Sequence, residues 1–126
     1  MAESEKIKPR HFKELLVWQK GMELAKAVYR LTATFPAEEK YGLATQMRRA
    51  AVAIPSNIAE GQARYGTGEF VSFLSRASGS LAELETQALL SADLSFCKSS
   101  DIQQITGEIG ELQRMLAAIR RKLAVV

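Results

Sequence analysis

The sequence predicts an all-α fold, an antiparallel up-down-up-down bundle of four helices, and three observations carry that expectation. Apolar residues recur at alternating steps of three and four along four separate segments. Only three prolines, Pro9, Pro36 and Pro55, interrupt the chain, while alanine is abundant and β-branched runs are scarce, which favours helix on propensity alone. The connections are short, as antiparallel neighbours in a bundle need, and no strand signal competes.

A length of 126 residues, with 47% hydrophobic and 25% charged residues, suits one soluble globule able to bury a core. The whole chain, 1–126, is therefore expected as a single four-helix-bundle domain, with residues 1–10 as a loose N-terminal arm ending at Pro9. The first helix is expected from Lys13 to Thr34. Along it Leu15, Trp18, Met22, Ala25 and Tyr29 form one apolar stripe, and Val17, Leu24, Val28, Leu31 and Phe35 form a second. One stripe suffices for a bundle core, so two imply burial on two sides. Trp18 and Tyr29 are bulky enough to fill the core while the second stripe meets another surface, and the pattern does not decide between the two arrangements.

Pro36 closes that helix, because the residue before a proline avoids helical geometry. It also opens the second, expected from Ala37 to Ala63, with Glu38 and Glu39 in a first turn where carboxylates suit the helix dipole. Leu43, Met47, Ala50, Ile54 and Ile58 form its stripe. Pro55 inside it removes a hydrogen bond to Ala51 and predicts a kink, with Ser56 and Asn57 placed to satisfy freed carbonyls. Gly61 and then Tyr65-Gly-Thr-Gly68 mark a turn, with Thr67 as the cap of the third helix and Glu69 in its first turn. That helix carries Phe70, Leu74, Ala77, Leu81, Leu84, Ala88 and Ser91 and is expected to end near Phe96. Ser100 followed by Gln103 reads as a capping box for the fourth helix. Its seam is Ile102, Ile105, Ile109, Leu112, Leu116, Ile119 and Leu123.

The inventory for catalysis is thin. His11 is the sole histidine and lies before or at the first helix, so neither a mid-helix phosphorelay histidine nor the Glu-x-x-His pairs of a di-iron bundle are available. Cys97 is the sole cysteine. It excludes Cys/His zinc sites by count and an intrachain disulfide, and reads as a small apolar residue near a helix end. Gly66-Thr-Gly68 lacks the lysine and spacing of a phosphate loop. Glu83 and Glu85 stand two residues apart, so they do not share a helical face for joint acid–base work. The expectation is a non-enzyme with no cofactor, no metal and no small-molecule substrate. No stretch approaches the roughly 20 apolar residues of a membrane span. With one cysteine and a polar N-terminus, a cytoplasmic setting without membrane contact is expected.

The basic residues have more to offer. Net charge is +3, which permits contact with nucleic acid without demanding it. Arg48 and Arg49 sit together on the second helix, Arg64 near its end, and Arg114, Arg120, Arg121 and Lys122 on the fourth. Arg48 and Arg49 suit pairing with glutamates across helices, and the last cluster suits either the helix C-terminal dipole or a binding patch. No aromatic residue alternates with these arginines, so phosphate contact rather than base stacking is the mode to expect.

Tyr41-Gly-Leu-Ala-Thr-Gln46-Met-Arg-Arg-Ala50, followed by Ile54-Pro-Ser-Asn-Ile-Ala-Glu-Gly61, resembles the signature of the four-helix-bundle proteins encoded in intervening sequences of bacterial large-subunit ribosomal RNA genes. The resemblance continues through Glu69-Phe-Val-Ser-Phe-Leu74 and Ser80-Leu-Ala-Glu-Leu-Glu85, and upstream through Leu16-Val-Trp-Gln19 and Phe35-Pro36. It implies assembly as a homopentameric barrel. It also implies kinship with the basic accessory proteins of diversity-generating retroelements, which bind reverse transcriptase and nucleic acid. Within the motif, Gln46, Pro55, Ser56, Asn57, Glu60, Gly61, Ser80, Glu83 and Glu85 read as mostly architectural. Glu60 stands four residues before Arg64, the favourable order for an ion pair. Gly61, Gly79 and Ser80 would let helices approach closely. The reading is a non-enzymatic homo-oligomeric scaffold that contacts RNA or a nucleic-acid-handling protein through Arg48, Arg49, Arg64, Arg114, Arg120, Arg121 and Lys122. The alternative is a protein-only adaptor with no nucleic-acid role.

Overall fold

A computed structural model describes residues 11–64 and 66–125, so the expected arm over 1–10 and Tyr65 of the turn lie outside the described residues. Four α-helices, α1 (Leu16–Thr32), α2 (Leu43–Ala63), α3 (Thr67–Asp93) and α4 (Ser99–Val125), are joined by short connections, with no strand among the described residues. Two 3-10 turns, Phe12–Glu14 and Ala37–Glu39, precede α1 and α2. Helix α1 packs on α2 and α4, α2 on α3, and α3 on α4, while the diagonal pairs do not meet. Thr32 reaches Arg48 and Gly61 faces Phe73 across short connections, Val71 lies by Arg120 while Ser78 bonds Gln113, and Lys20 reaches Glu111 while Leu31 lies by Ile105, so every neighbouring pair runs antiparallel. The architecture is the expected up-down-up-down bundle.

The element ends depart from expectation for local reasons. Helix α1 starts at Leu16 because Leu15 is extended (φ −79°, ψ 124°) and separates it from the 3-10 turn, whose cap is His11 Nδ1 accepting from the Lys13 N–H at 3.2 Å. Helix α2 starts at Leu43 instead of Ala37, since Gly42 (φ −109°, ψ −115°) breaks the run. Glu39 serves α2 from outside it: its Oε1 accepts from the Leu43 N–H at 3.1 Å, satisfying one of the donors a helix start leaves open. Thr67 is not the cap of α3. Gly66 holds that position at φ +99°, a conformation that favours glycine. Helix α3 ends at Asp93, earlier than Phe96. There Ser95 is left-handed (φ 63°), the Phe96 N–H donates to the Ser91 carbonyl and the Ser95 N–H donates to Ala92, which is a Schellman closure with serine where glycine is usual. Helix α4 already begins at Ser99, so Ser100 lies inside its first turn and is not the cap.

Pro55 stands within an uninterrupted α2. The Asn57 amide does bond a carbonyl, at 2.7 Å, but it is Ala53's and not the Ala51 carbonyl that the proline deprives of its donor, and Ser56 is exposed. The core is filled by Leu24, Met47, Ile54, Leu81, Leu84 and Leu112 and their neighbours, all essentially inaccessible, each contributing about 1.5–3 kcal/mol on burial. Every expected position of the third stripe is buried, and the fourth is buried through Leu116. Ile119 and Leu123 are only half-buried and pack against the margin of the core.

Polar ties lock α4 in place. Ser78 Oγ donates to Gln113 Oε1 at 2.6 Å, and Gln113 Nε2 donates back to the Ser78 carbonyl at 3.0 Å. On the α1 side, Lys20 bonds Glu111 at 2.8 Å and leaves the adjacent Glu108 without a bond to its buried Oε2 among the described residues. Burial, then the Glu111 charge, pushes the Glu108 carboxyl above its ordinary value; Lys20 opposes this and Glu23 adds a smaller push. A raised carboxyl pKa means that the bound proton stabilises the fold at low pH and that this contribution is lost as pH rises through the raised value. Glu108→Gln is therefore expected to stabilise the protein at neutral pH by up to about 1 kcal/mol, the site being partly wet, and to flatten stability between the ordinary carboxylate range and neutrality. Urea melts of both proteins across pH 4–8 check it.

Candidate interaction face

The two stripes of α1 take opposite roles to the arrangement their sizes suggest. Val17, Leu24, Val28 and Phe35 are buried in the core, with Leu31 half-buried, while Trp18 and Met22 are half-buried and Tyr29 is 45% exposed. The core cluster is mostly aliphatic, with Phe35 and Phe70 its buried aromatic members, and an indole or a phenol buried there would need a partner for its polar tip. Trp18, Met22, Ala25 and Tyr29 instead form one wall of an outer groove. The opposite wall comes from α2, where Val52, Pro55 and Ala59 follow one another at helical spacing. Phe12 closes one end by meeting the Trp18 ring edge-on at 5.2 Å. The groove measures about 710 Å³. Gly21 is buried between the two helices, where a Cβ would make ordinary contact with Ile54 and the Pro55 ring at 3.5 Å. Val52 is 42% exposed, so an apolar surface lies open to solvent at this face.

The other end of the groove is basic. Arg48 Nε donates to Thr32 Oγ1 at 2.8 Å and its Nη2 to the Tyr29 carbonyl at 3.3 Å, with the guanidinium 4.7 Å from the Tyr29 ring centroid. It pins the C-terminal end of α1, where a cation suits the helix dipole, and among the described residues it does not form the pairing with a glutamate that the sequence suggested. Arg49 is exposed, without an ion-pair partner among the described residues, and with Tyr29, Thr45, Arg48 and Val52 it lines a depression continuous with the groove. Arg30 and Lys26 stand on the groove's α1 rim, Lys26 bonded to Glu23 at 3.0 Å.

The seven basic candidates do not form one patch. Arg64 bonds Glu60 at 2.9 Å, as its spacing foretold, approaches Glu69 at 3.6 Å and covers the Phe73 ring at 5.2 Å. It fastens the α2–α3 turn. Arg120 and Arg121 flank a shallow depression between α3 and α4, with Val71, Ala117 and Ala124. Lys122 is exposed beside them, and Arg114 lies along its own helix near Gly110. That α3–α4 side is across the bundle from the α1–α2 groove.

The motif residues divide in the same way. Gly61 is a close-contact position: a Cβ there would lie 2.6 Å from Phe73 Cβ. Gly79 is not, with open space around it, because it faces solvent on α3. Ser80 is half-buried, Gln46 and Glu83 are exposed, and Glu85 is half-buried. Glu83 accepts a long bond of 3.4 Å from Gln87 and shares no site with Glu85. Cys97 is half-buried, 3.5 Å from the Ser91 hydroxyl. Among the described residues no three His, Cys, Asp or Glu side chains gather to hold a metal ion, and no helix is long and apolar enough to cross a membrane. Sequence reasoning missed the groove's α2 wall. Its signal was the spacing of Val52, Pro55 and Ala59, which lies beside the stripe assigned to the core.

Comparison with known proteins fits this architecture. A crystal structure of a protein of unknown function from the S23 ribosomal protein family of Bacteroides thetaiotaomicron is similar, with a TM-score of 0.79 and 21% identity. The match covers 84% of this chain and 96% of that one, a likeness of fold. No curated protein matches the chain. The profile of the 23S rRNA-intervening sequence proteins matches residues 13–118, nearly the whole of the bundle. The chain belongs to the 23S rRNA-intervening sequence protein family.

Proposed function

We propose that this chain is a non-enzymatic, homo-oligomeric binding scaffold whose protomers join through the α1–α2 groove. The observation that carries the reading is the groove itself: a lone bundle leaves Trp18, Met22, Tyr29 and Val52 facing water in one contiguous channel. Apolar area of this kind on a soluble protein marks an interaction surface. The family resemblance implies five copies in a barrel. Cations without an ion-pair partner among the described residues, Arg120, Arg121 and Lys122 on the opposite side together with Arg49, supply phosphate contacts, and a charge of +3 per chain is multiplied by assembly. RNA, or a protein that handles it, is the partner that this charge and the family's ribosomal RNA setting support.

Two measurements test the reading. The mass of the protein at micromolar concentration is expected to be a multiple of the 13.9 kDa chain, and Val52→Asp, at an exposed position, is expected to reduce it to one chain without loss of helix. A wild-type monomer would remove the scaffold. A salt titration with a structured RNA is expected to show affinity falling steeply with salt, and the triple alanine variant of Arg120, Arg121 and Lys122 is expected to flatten the slope. Absence of binding even at low salt would leave the protein-only adaptor.

A further inference from the structure

The groove has a counterpart on the same molecule. Leu89, Leu90 and Leu94 are each about half exposed, at 49%, 46% and 52%, and they crown the last two turns of α3. Leu81, Leu84, Ala88 and Ser91 of that helix point into the core, so the helical repeat of 100° per residue turns the leucines outward. Exposed leucines one at a time need no explanation, but three in six residues beside one another do. Along the helix itself the charge is one-sided, the next cation towards the C-terminus being the exposed Lys98 beyond the helix end. From Ala77 to Asp93 the helix carries Glu83, Glu85 and Asp93 and no lysine or arginine.

The groove is one-sided in the opposite sense. Among the described residues its walls and its continuation past Tyr29 include Lys26, Arg30, Arg48 and Arg49 and no carboxylate. Arg48 is committed to Thr32 and Tyr29, and Lys26 to Glu23, which leaves Arg30 and Arg49 to meet an incoming acid. An apolar channel with a cationic rim and an apolar ridge with an acidic rim are complementary both in solvation and in charge.

We propose that the groove between α1 and α2 of one protomer receives the outer face of the α3 C-terminal turns of the next, Leu90 and its neighbours entering the channel while Asp93 and Glu83 meet Arg49 and Arg30. The inference rests on the self-association proposed above and names the surface that fills the groove. Because groove and ridge are different surfaces, the contact is head-to-tail: each chain uses both, and the assembly grows until it closes.

Such an interface has a signature that a two-fold contact lacks. Val52→Asp spoils only the groove and Leu90→Asp only the ridge, and both positions are exposed, so each variant is expected to fold, which circular dichroism verifies. Each alone is expected to run as one chain in a mass measurement at micromolar concentration. Mixed one to one, they retain one intact groove and one intact ridge between them and are expected to form a 1:1 heterodimer that goes no further. A Leu90→Asp protein that keeps the wild-type mass while Val52→Asp is monomeric would overturn the ridge and leave the groove interface standing; a mixture that stays monomeric would overturn it as well. A wild-type monomer would instead sink the self-association beneath it. As a second readout, Arg49→Glu and Asp93→Arg are each expected to weaken assembly at least tenfold, and the two together in one chain are expected to recover most of it. Failure of the pair to recover counts against the contact.

Discussion

Truncating Leu24 to alanine is expected to cost about 2–5 kcal/mol of folding stability, whereas Met22→Ala, two residues earlier on the same helix, costs the protomer about 1 kcal/mol or less. Leu24 is wholly buried among side chains of the core, so its removal leaves a cavity that a close-packed interior only partly collapses around. Met22 is half-buried on the groove wall, and its removal deletes contacts on one side only. Urea denaturation in the Val52→Asp background measures both, since assembly would otherwise add stability by mass action and blur the difference. The opposite ranking would mean that the two stripes of α1 are exchanged. The same pair separates folding from assembly, because Met22→Ala in the otherwise wild-type chain is expected to weaken association while leaving the protomer's melt nearly in place.

The second large effect concerns glycine. Gly61→Ala is expected to destabilise by about 1–3 kcal/mol through overpacking, although alanine is the better helix former. The new methyl would sit 2.6 Å from Phe73 Cβ and 3.2 Å from the Phe70 ring. Phe73 Cβ is anchored directly to the α3 backbone, so relief requires α2 and α3 to move apart along their tightest contact. Gly79→Ala is the control of opposite sign. Nothing lies within 4 Å of the added carbon, so the substitution is expected to stabilise by up to about 1 kcal/mol through reduced freedom of the unfolded chain and better helix propensity. Equal signs for the two substitutions in thermal or urea melts would contradict the packing of α2 on α3. Both glycines had the same reading from sequence, as small residues admitting a neighbouring helix. Only the contact across the interface distinguishes them.

Much of the fold was legible because it rests on periodicity. A stripe repeating every three or four residues must be covered, and four such stripes with short connections leave one economical arrangement. Leu84 and its stripe-mates, and Leu112 with its stripe through Leu116, were identifiable as core from spacing alone, as was the Glu60–Arg64 pair, whose partners are one helical turn apart. Element ends were less legible. Whether Gly42 breaks a helix, or Gly66 in place of Thr67 opens one, depends on backbone angles that glycine permits but does not dictate. Arg48 was misread for a related reason. Its partners, Thr32 and the Tyr29 carbonyl, stand sixteen and nineteen residues away on another helix, and a carbonyl at a helix end leaves no mark in the sequence.

The double stripe on the first helix shows where the boundary lies. Its residues by themselves determined that α1 has two apolar faces and that a lone bundle leaves one of them in want of cover, since one helix cannot hide two stripes in one core. Which face turns inward was decided only in three dimensions. Val17, Leu24 and Val28 join Ile54, Leu81 and Leu112 in the buried core, while Trp18 and Tyr29, larger and polar-tipped, line the groove between α1 and α2. The same is true of the cations, whose number and sign were plain from composition but whose division between the groove rim and the α3–α4 side follows from how the helices are wound around the core. Spacing along a chain sets which residues share a face; volume and closure of the interior set which face is inside.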